Sequence, residues 1–219
     1  MVEWRDTTLS AWLRGCEQAL AAGADGLFIP DHTRVQDRFD TSHLSCAVAL
    51  GAARAAFGNV AIGPLVARVG GGLDEHVLGM LDAVSDGEVV AALGIGDRNA
   101  RLEHVVSELA WPLPNERWQR LCAVAQRCLD RGWETYAATD RVELACVLPD
   151  GVGVHVQNPA TALFEGRRWA FGAFAEMDDA TTTYVREAGF SWVCLAQLHD
   201  EPTRAFATRL EQLWRPADI

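Results

Sequence analysis

Two residues with side chains suited to proton transfer, Asp31 and His32, directly follow the apolar run Gly26 to Pro30. A short apolar run that ends in polar residues is typical of a strand covered on both faces. In parallel α/β folds, catalytic residues lie beyond the carboxyl ends of the strands. There, His32 could relay a proton and Asp31 could accept a hydrogen bond from a ligand hydroxyl. The sequence predicts that both are catalytic, the alternative being a loop cap at Asp31 and an ordinary loop histidine.

Glycines mark the ends of two further apolar runs. Gly63-Pro64 interrupts the run Val60 to Val66, and Gly94-Ile95-Gly96-Asp97 ends the run that begins at Val89. Glycine permits close approach of the backbone to a ring or a phosphate, so we predict that Gly63, Pro64, Gly94, Gly96 and Asp97 bind a cofactor. A strand-ending bend or a tight turn is the alternative. The third glycine of a dinucleotide fingerprint is missing.

Arginine supplies every positive side-chain charge, because the sequence contains no lysine. Arginines are therefore the cations available to an anionic cofactor. Arg68 and Arg98 are predicted to serve in this way. The arginines that follow predicted strand ends are Arg34, Arg38, Arg68, Arg98 and Arg101.

Composition excludes several other classes of function. The formal net charge of -11 disfavours binding to nucleic acid and to anionic membranes. The cysteines and histidines lack metal-ligand spacing, so no metal site is predicted. The first residues resemble no signal peptide and no apolar run is long enough to span a bilayer, so we expect a cytoplasmic protein.

Helical and apolar segments alternate along the chain, which predicts an α/β fold with parallel strands in a single domain, residues 1–219. The predicted helices include Leu9 to Gly23, a helix capped by Asn115 and one opened by Asp178 or Asp179. In the middle, Val142 to Leu148 and Val152 to Gln157 flank the turn Pro149-Asp150-Gly151. That pattern predicts an antiparallel hairpin.

Several segments, in this order, resemble the luciferase-like family of flavin- and deazaflavin-dependent oxidoreductases. They are GADGLFIPDH (23–32), VAIGPLVARV (60–69), LGMLDAVSDGEVVAALGIGD (78–97), AWPLPNERWQRL (110–121) and EAGFSWVCLA (187–196). The resemblance implies a (β/α) TIM-barrel-like fold, with Asp31 and His32 facing the cofactor.

This chain departs from the family pattern in two places. It begins almost on its first helix, which leaves little room for a first strand and predicts an abbreviated or incomplete barrel. Where the family has a Gly-Ser/Thr-Pro turn for the cofactor phosphate, this chain has Glu176-Met177-Asp178-Asp179. Carboxylates at that place would repel a phosphate.

The resemblance implies an oxidoreductase or monooxygenase that uses reduced FMN or F420 on a small organic substrate. The alternative is a degenerate, non-catalytic flavin-binding or partner subunit of the same fold. Because a barrel that lacks a strand leaves apolar surface and sheet edges open, we also expect a homodimer or a complex with a related subunit.

Overall fold

Strands and helices alternate throughout the computed structural model, which describes residues 1–2, 7–31, 44–70, 73–95, 114–139, 142–157, 167–173, 178–197 and 201–214. The strands are β1 (Gly26–Ile29), β2 (Ala61–Pro64), β3 (Ala67–Arg68), β4 (Val90–Gly94), β5 (Glu134–Ala138), β6 (Gly153–Val156), β7 (Trp169–Ala173) and β8 (Trp192–Leu195). The helices are α1 (Leu9–Ala21), α2 (Cys46–Phe57), α3 (Asp74–Asp82), α4 (Pro114–Asp130), α5 (Val142–Ala145), α6 (Asp179–Glu187) and α7 (Thr203–Trp214).

Every strand pairing among the described residues is parallel, as the alternation predicts. Strands β3 to β8 form a six-stranded sheet in sequence order, and β1 pairs with β2. A parallel bridge between Ile62 and Val89 connects the two sheets, and the backbone N–H of Ile62 donates to the carbonyl of Glu88 at 3.1 Å. β2 and β3 are separated by Leu65 and Val66, whose peptide bond is cis.

The sheet is curled, and its two faces bury different sets of side chains. One face packs against the helices, where the larger apolar cluster lies. The other encloses a smaller cluster made of Phe28, Ala61, Leu65, Val90, Ala92, Tyr136, Ala170 and Cys194. The rings of Phe28 on β1 and Trp192 on β8 meet with their centroids 5.7 Å apart. The strands at the two ends of the curl therefore face each other, as in a (β/α) barrel.

The curl leaves an opening between β1 and β8. Beside β8, the N-terminal amino group of Met1 donates to the carbonyl of Leu195 at 2.5 Å, and the N–H of Gln197 donates to the carbonyl of Met1 at 2.9 Å. A mainly apolar cavity of about 130 Å³ lies in the opening, with α1 and α7 outside it. The prediction of an incomplete barrel is confirmed.

The predicted antiparallel hairpin is wrong. Val142–Ala145 forms the short helix α5, and β6 pairs parallel to both β5 and β7. The turn at Gly151, where φ is +85°, connects α5 to β6. It does not connect two strands that pair with each other. β5, which the sequence analysis missed, precedes this region and preserves the alternation of strand and helix.

One helix start differs from its prediction. α4 begins at Pro114, so Asn115 lies inside the helix and does not cap it. α7 begins at Thr203 after Pro202, whose carbonyl accepts from the N–H of Phe206 at 3.1 Å. Asp178 caps α6, as the sequence predicts. No helix in the described ranges has the length and apolar character needed to cross a bilayer.

Candidate functional site

Because the strands are parallel, their carboxyl ends meet at one edge of the curled sheet. Asp31 follows β1, and the register pairs Ile29 with Pro64 and Arg68 with Gly94. The described parts of the predicted site, Asp31, Gly63, Pro64, Arg68 and Gly94, thus lie on neighbouring strand ends. His32, Gly96, Asp97 and Arg98 lie outside the described residues.

Asp31 is half-buried, two residues beyond the end of β1. Below it, Cys46 at the start of α2 donates its thiol to the carbonyl of Ile29, with sulfur and oxygen 3.7 Å apart. Burial raises the pKa of the Cys46 thiol, and the negative charge of Asp31 raises it further. Cys46 is therefore a neutral packing residue that fixes the end of β1 beneath Asp31.

Gly63 on β2 lies where this strand contacts β4. A Cβ atom added at this position would overlap the carbonyl group of Val90 on β4. The backbones of β2 and β4 approach each other here only because Gly63 lacks a side chain. Gly63 thus has a packing reason for being glycine, whatever its part in ligand binding.

Gly94 and Arg68 are brought together by the pairing of β3 with β4. The N–H of Val69 donates to the carbonyl of Gly94 at 2.9 Å, and a Cβ added to Gly94 would come within 2.7 Å of the Val66 side chain. Arg68 is half-buried beside it. The backbones of β3 and β4 therefore approach each other closely at this position, beside the positively charged side chain of Arg68.

Small residues line the inner face of the sheet at its carboxyl edge. Because side chains alternate along a strand, the positions that follow the inward-facing Ala92, Tyr136, Ala170 and Cys194 also face inward. These positions are Gly94, Ala138, Gly172 and Ala196. Together these small residues follow the enclosed cluster toward the carboxyl edge of the sheet, and we call this set the floor.

His155 is the residue that the sequence analysis missed. It is the third residue of β6, is paired with Ala138 and Ala170, and lines the enclosed interior with only 2 % of its surface exposed. A histidine between two valines of a buried strand was the available signal. It carries an imidazole level with the floor.

Below the floor the interior is filled. Beside His155 only a cavity of about 10 Å³ remains, which is at the lower limit for one water molecule. At the amino end, the Glu134 carboxylate accepts from the Tyr136 hydroxyl at 2.6 Å, from Arg168 at 2.8 Å and from the Trp192 indole at 2.9 Å. Burial, followed by this carboxylate, raises the pKa of Tyr136. A ligand larger than a water molecule therefore has no room beneath the floor.

The loops after β7 and β8 are where (β/α) barrels often bind phosphate, next to a helix N-terminus. In this chain the α6 N-terminus is closed by Asp178, whose carboxylate accepts from the N–H of Thr181 at 2.7 Å. Asp179 adds a second negative charge in the first turn. The phosphate that the family resemblance implies for FMN or F420 does not fit this helix end.

Among the described residues, no three His, Cys, Asp or Glu side chains are grouped so that they could hold a metal ion.

Comparison with solved structures gives a match along nearly the whole chain. An F420-dependent secondary alcohol dehydrogenase, solved in complex with an F420-acetone adduct, matches with a TM-score of 0.72. The two proteins share a fold. The match covers 99 % of each chain, at 12 % sequence identity, so the similarity extends to the fold and not to individual site residues.

Two structures of a dihydropteroate synthase from Burkholderia cenocepacia match less well. Their TM-scores are 0.42 and 0.40, at 15 % and 16 % identity, and each match covers 86 % of the synthase and 95 % or 94 % of this chain. No protein-family model matches the sequence, and no curated protein is similar to it in sequence.

Proposed function

We propose that this chain is an oxidoreductase that binds a deazaflavin or flavin ring at the carboxyl edge of its sheet and acts on a small organic substrate. The full-length fold similarity to an F420-dependent alcohol dehydrogenase carries this proposal. It also favours the deazaflavin F420 over FMN, and a dehydrogenase over a monooxygenase.

The floor supports the binding of a ring. Gly94, Ala138, Gly172 and Ala196 offer no projecting side chain, so a planar ligand can lie against the backbone and methyl groups. Arg68 stands at the border of this surface, where its charge could meet an anionic part of the ligand or the substrate. Gly63 and Pro64 shape the neighbouring strand end. For Gly96, Asp97 and Arg98 the proposed part in binding rests on the sequence alone.

Three residues are proposed to act on protons or hydroxyl groups. Asp31 accepts a hydrogen bond from a ligand hydroxyl at the end of β1, and His32 next to it relays a proton. His155 faces the ring from the sheet interior, where a buried imidazole can hold or deliver a proton without bulk water. The ring, when bound, supplies hydride chemistry, while the protein supplies orientation and exclusion of water.

A second candidate function is a non-catalytic flavin-binding or partner subunit of the same fold. The observation that favours it is the pair of carboxylates at the start of α6. A cofactor phosphate would meet negative charge there, at a helix end where (β/α) barrels often bind phosphate. A homodimer, or association with a related catalytic subunit, would accompany either function.

Absorbance titration separates the two candidates. The purified protein is titrated with oxidised and reduced F420 and FMN, and turnover is then assayed with a panel of small alcohols, carbonyl compounds and imines. Spectral binding with turnover supports the oxidoreductase, and binding without turnover supports the non-catalytic subunit. If neither ring perturbs the spectrum in either redox state, both candidates fail.

A further inference from the structure

The acidic start of α6 bears on which form of the cofactor this chain accepts. We propose that the chain takes its flavin or deazaflavin without a phosphate group, as a ring that carries an uncharged polyol such as the ribityl chain of riboflavin. This inference rests on the proposed function and deepens it by naming the ligand class.

The first argument is that α6 already holds an anion of its own. The Asp178 carboxylate occupies the position in front of the helix, where it accepts from the N–H of Thr181 at 2.7 Å. The hydroxyls of Thr182 and Thr183 donate backwards to the carbonyls of Asp178 and Asp179, at 3.0 and 2.8 Å. One backbone N–H of the first turn and two threonine hydroxyls are therefore engaged within the helix.

The second argument is electrostatic. Asp178 and Asp179 are both exposed, so their charges face the loop region and not the core. A phosphate placed beside either carboxylate would be repelled by its negative charge. A polyol meets no such repulsion, and its hydroxyls can donate to the lone pairs that the cap leaves free.

The third argument comes from the loop that follows β8. Arg209 lies on α7, the helix that follows this loop, and its Nε and Nη2 donate to the two oxygens of Glu201 at 3.1 and 2.7 Å. Its Nη2 also donates to the carbonyl of Ala196 at 2.7 Å, while Nη1 is buried. This guanidinium therefore holds β8 to α7 and is not presented to a ligand phosphate.

Riboflavin and FMN test the proposal directly, because they share the ring and the ribityl chain and differ only by the phosphate. Dissociation constants for both are measured on the full chain by quenching of flavin fluorescence and by equilibrium dialysis. We expect the wild-type protein to bind riboflavin at least about five-fold more tightly than FMN. The difference should shrink as salt is added, since the carboxylates are exposed.

The matched variants are Asp178→Ser and Glu187→Gln. Serine caps a helix about as well as aspartate, so Asp178→Ser removes the charge but retains the cap. Glu187→Gln removes one charge from the far end of the same helix. Asp178→Ser should raise FMN affinity about five-fold while changing riboflavin affinity less than about two-fold, and Glu187→Gln should leave the ratio unchanged. If Asp178→Ser does not fold, Asp178→Asn replaces it.

Tighter or equal binding of FMN by the wild-type protein would overturn the inference and leave the proposed function intact. An unchanged ratio in the folded Asp178 variant would overturn it as well. If neither flavin binds, the corresponding deazaflavins with and without phosphate decide the comparison in the same way. Binding of no ring of either kind, in either redox state, would instead contradict the proposed function, and the inference would fall with it. The corresponding pair of deazaflavins, with and without phosphate, extends the comparison to the favoured ring.

Discussion

The carboxylate of Asp178 accepts a hydrogen bond of 2.7 Å from the backbone N–H of Thr181. Hydrogen bonds from Thr181, through its side chain and its backbone, hold the pKa of Asp178 below the ordinary value for aspartate. The start of α6 is therefore negatively charged at neutral pH and closed by the chain itself.

This cap predicts a pH dependence of stability. Because the pKa is lowered in the folded state, the stabilisation by Asp178 is complete above the unfolded-state pKa of about 3.9 and is lost as the pH falls through the lower folded-state value. The melting temperature of the wild type should exceed that of Asp178→Ser at pH 7, and this excess should shrink as the pH falls below the unfolded-state pKa. A difference that does not change with pH would contradict the assignment, and Glu187→Gln serves as the control.

Gly63 and Gly51 make a matched pair of glycines. Alanine at Gly63 would overlap the carbonyl group of Val90, whereas nothing lies within 4 Å of a Cβ at Gly51 on α2. Gly63→Ala should lower the free energy of unfolding by about 3 kcal/mol or prevent folding. Gly51→Ala should raise it by up to about 1 kcal/mol, because alanine favours a helix. Urea denaturation measures both, and equal effects would refute the packing role of Gly63.

Substitutions at His32 and Asp31 should affect turnover and ring binding to different extents. His32→Ala should reduce turnover by about 100- to 10,000-fold, with a melting temperature close to that of the wild type. Asp31→Ala should weaken ring binding more than it slows turnover, since its carboxylate is proposed to accept a hydroxyl of the ligand. Steady-state kinetics and thermal melts provide the readouts. Wild-type activity in His32→Ala would favour the non-catalytic subunit.

His155 should influence the proton step from its position next to Ala138 of the floor. His155→Gln retains a polar side chain but removes the ionisable group. Turnover should fall by about 10- to 100-fold and lose one limb of its pH profile, while ring affinity changes by less than about three-fold. A pH profile identical to that of the wild type would show that His155 is a packing residue only.

Self-association is the remaining prediction. Among the described strands, β1 and β8 do not pair with each other, and an apolar cavity lies between them. Sheet edges that are not paired within a chain favour pairing with another chain. Multi-angle light scattering at micromolar concentration should give the mass of a dimer. A mass near 23.9 kDa would indicate a monomer and contradict this expectation.

Most of the fold could be predicted because buried parallel strands leave clear apolar runs. β1, β2, β4, β7 and β8 each correspond to such a run, and their parallel order follows from the intervening helices. β5 was missed because Glu134 and Thr135 interrupt its apolar pattern; Glu134 is paired across the sheet with Arg168 and Trp192. Turn-forming residues at 149–151 then suggested a hairpin, since local turn chemistry does not reveal which strands will pair.

The candidate site was predictable only where it depends on position along the chain. Asp31 follows an apolar run, so its place at the carboxyl edge can be read locally. The packing of Gly63 against Val90 involves residues far apart in sequence, as does the level of His155 with the floor. Those relationships depend on strand register, which a single sequence does not specify.

A crystal structure of the protein with a bound deazaflavin or flavin ring tests the central claim most directly. We expect the ring on the carboxyl edge of the sheet, against Gly94 and Ala138, with Asp31 and His155 within hydrogen-bonding reach of the ligand. A ring bound in the opening between β1 and β8, or at any place away from the carboxyl edge, would contradict the account.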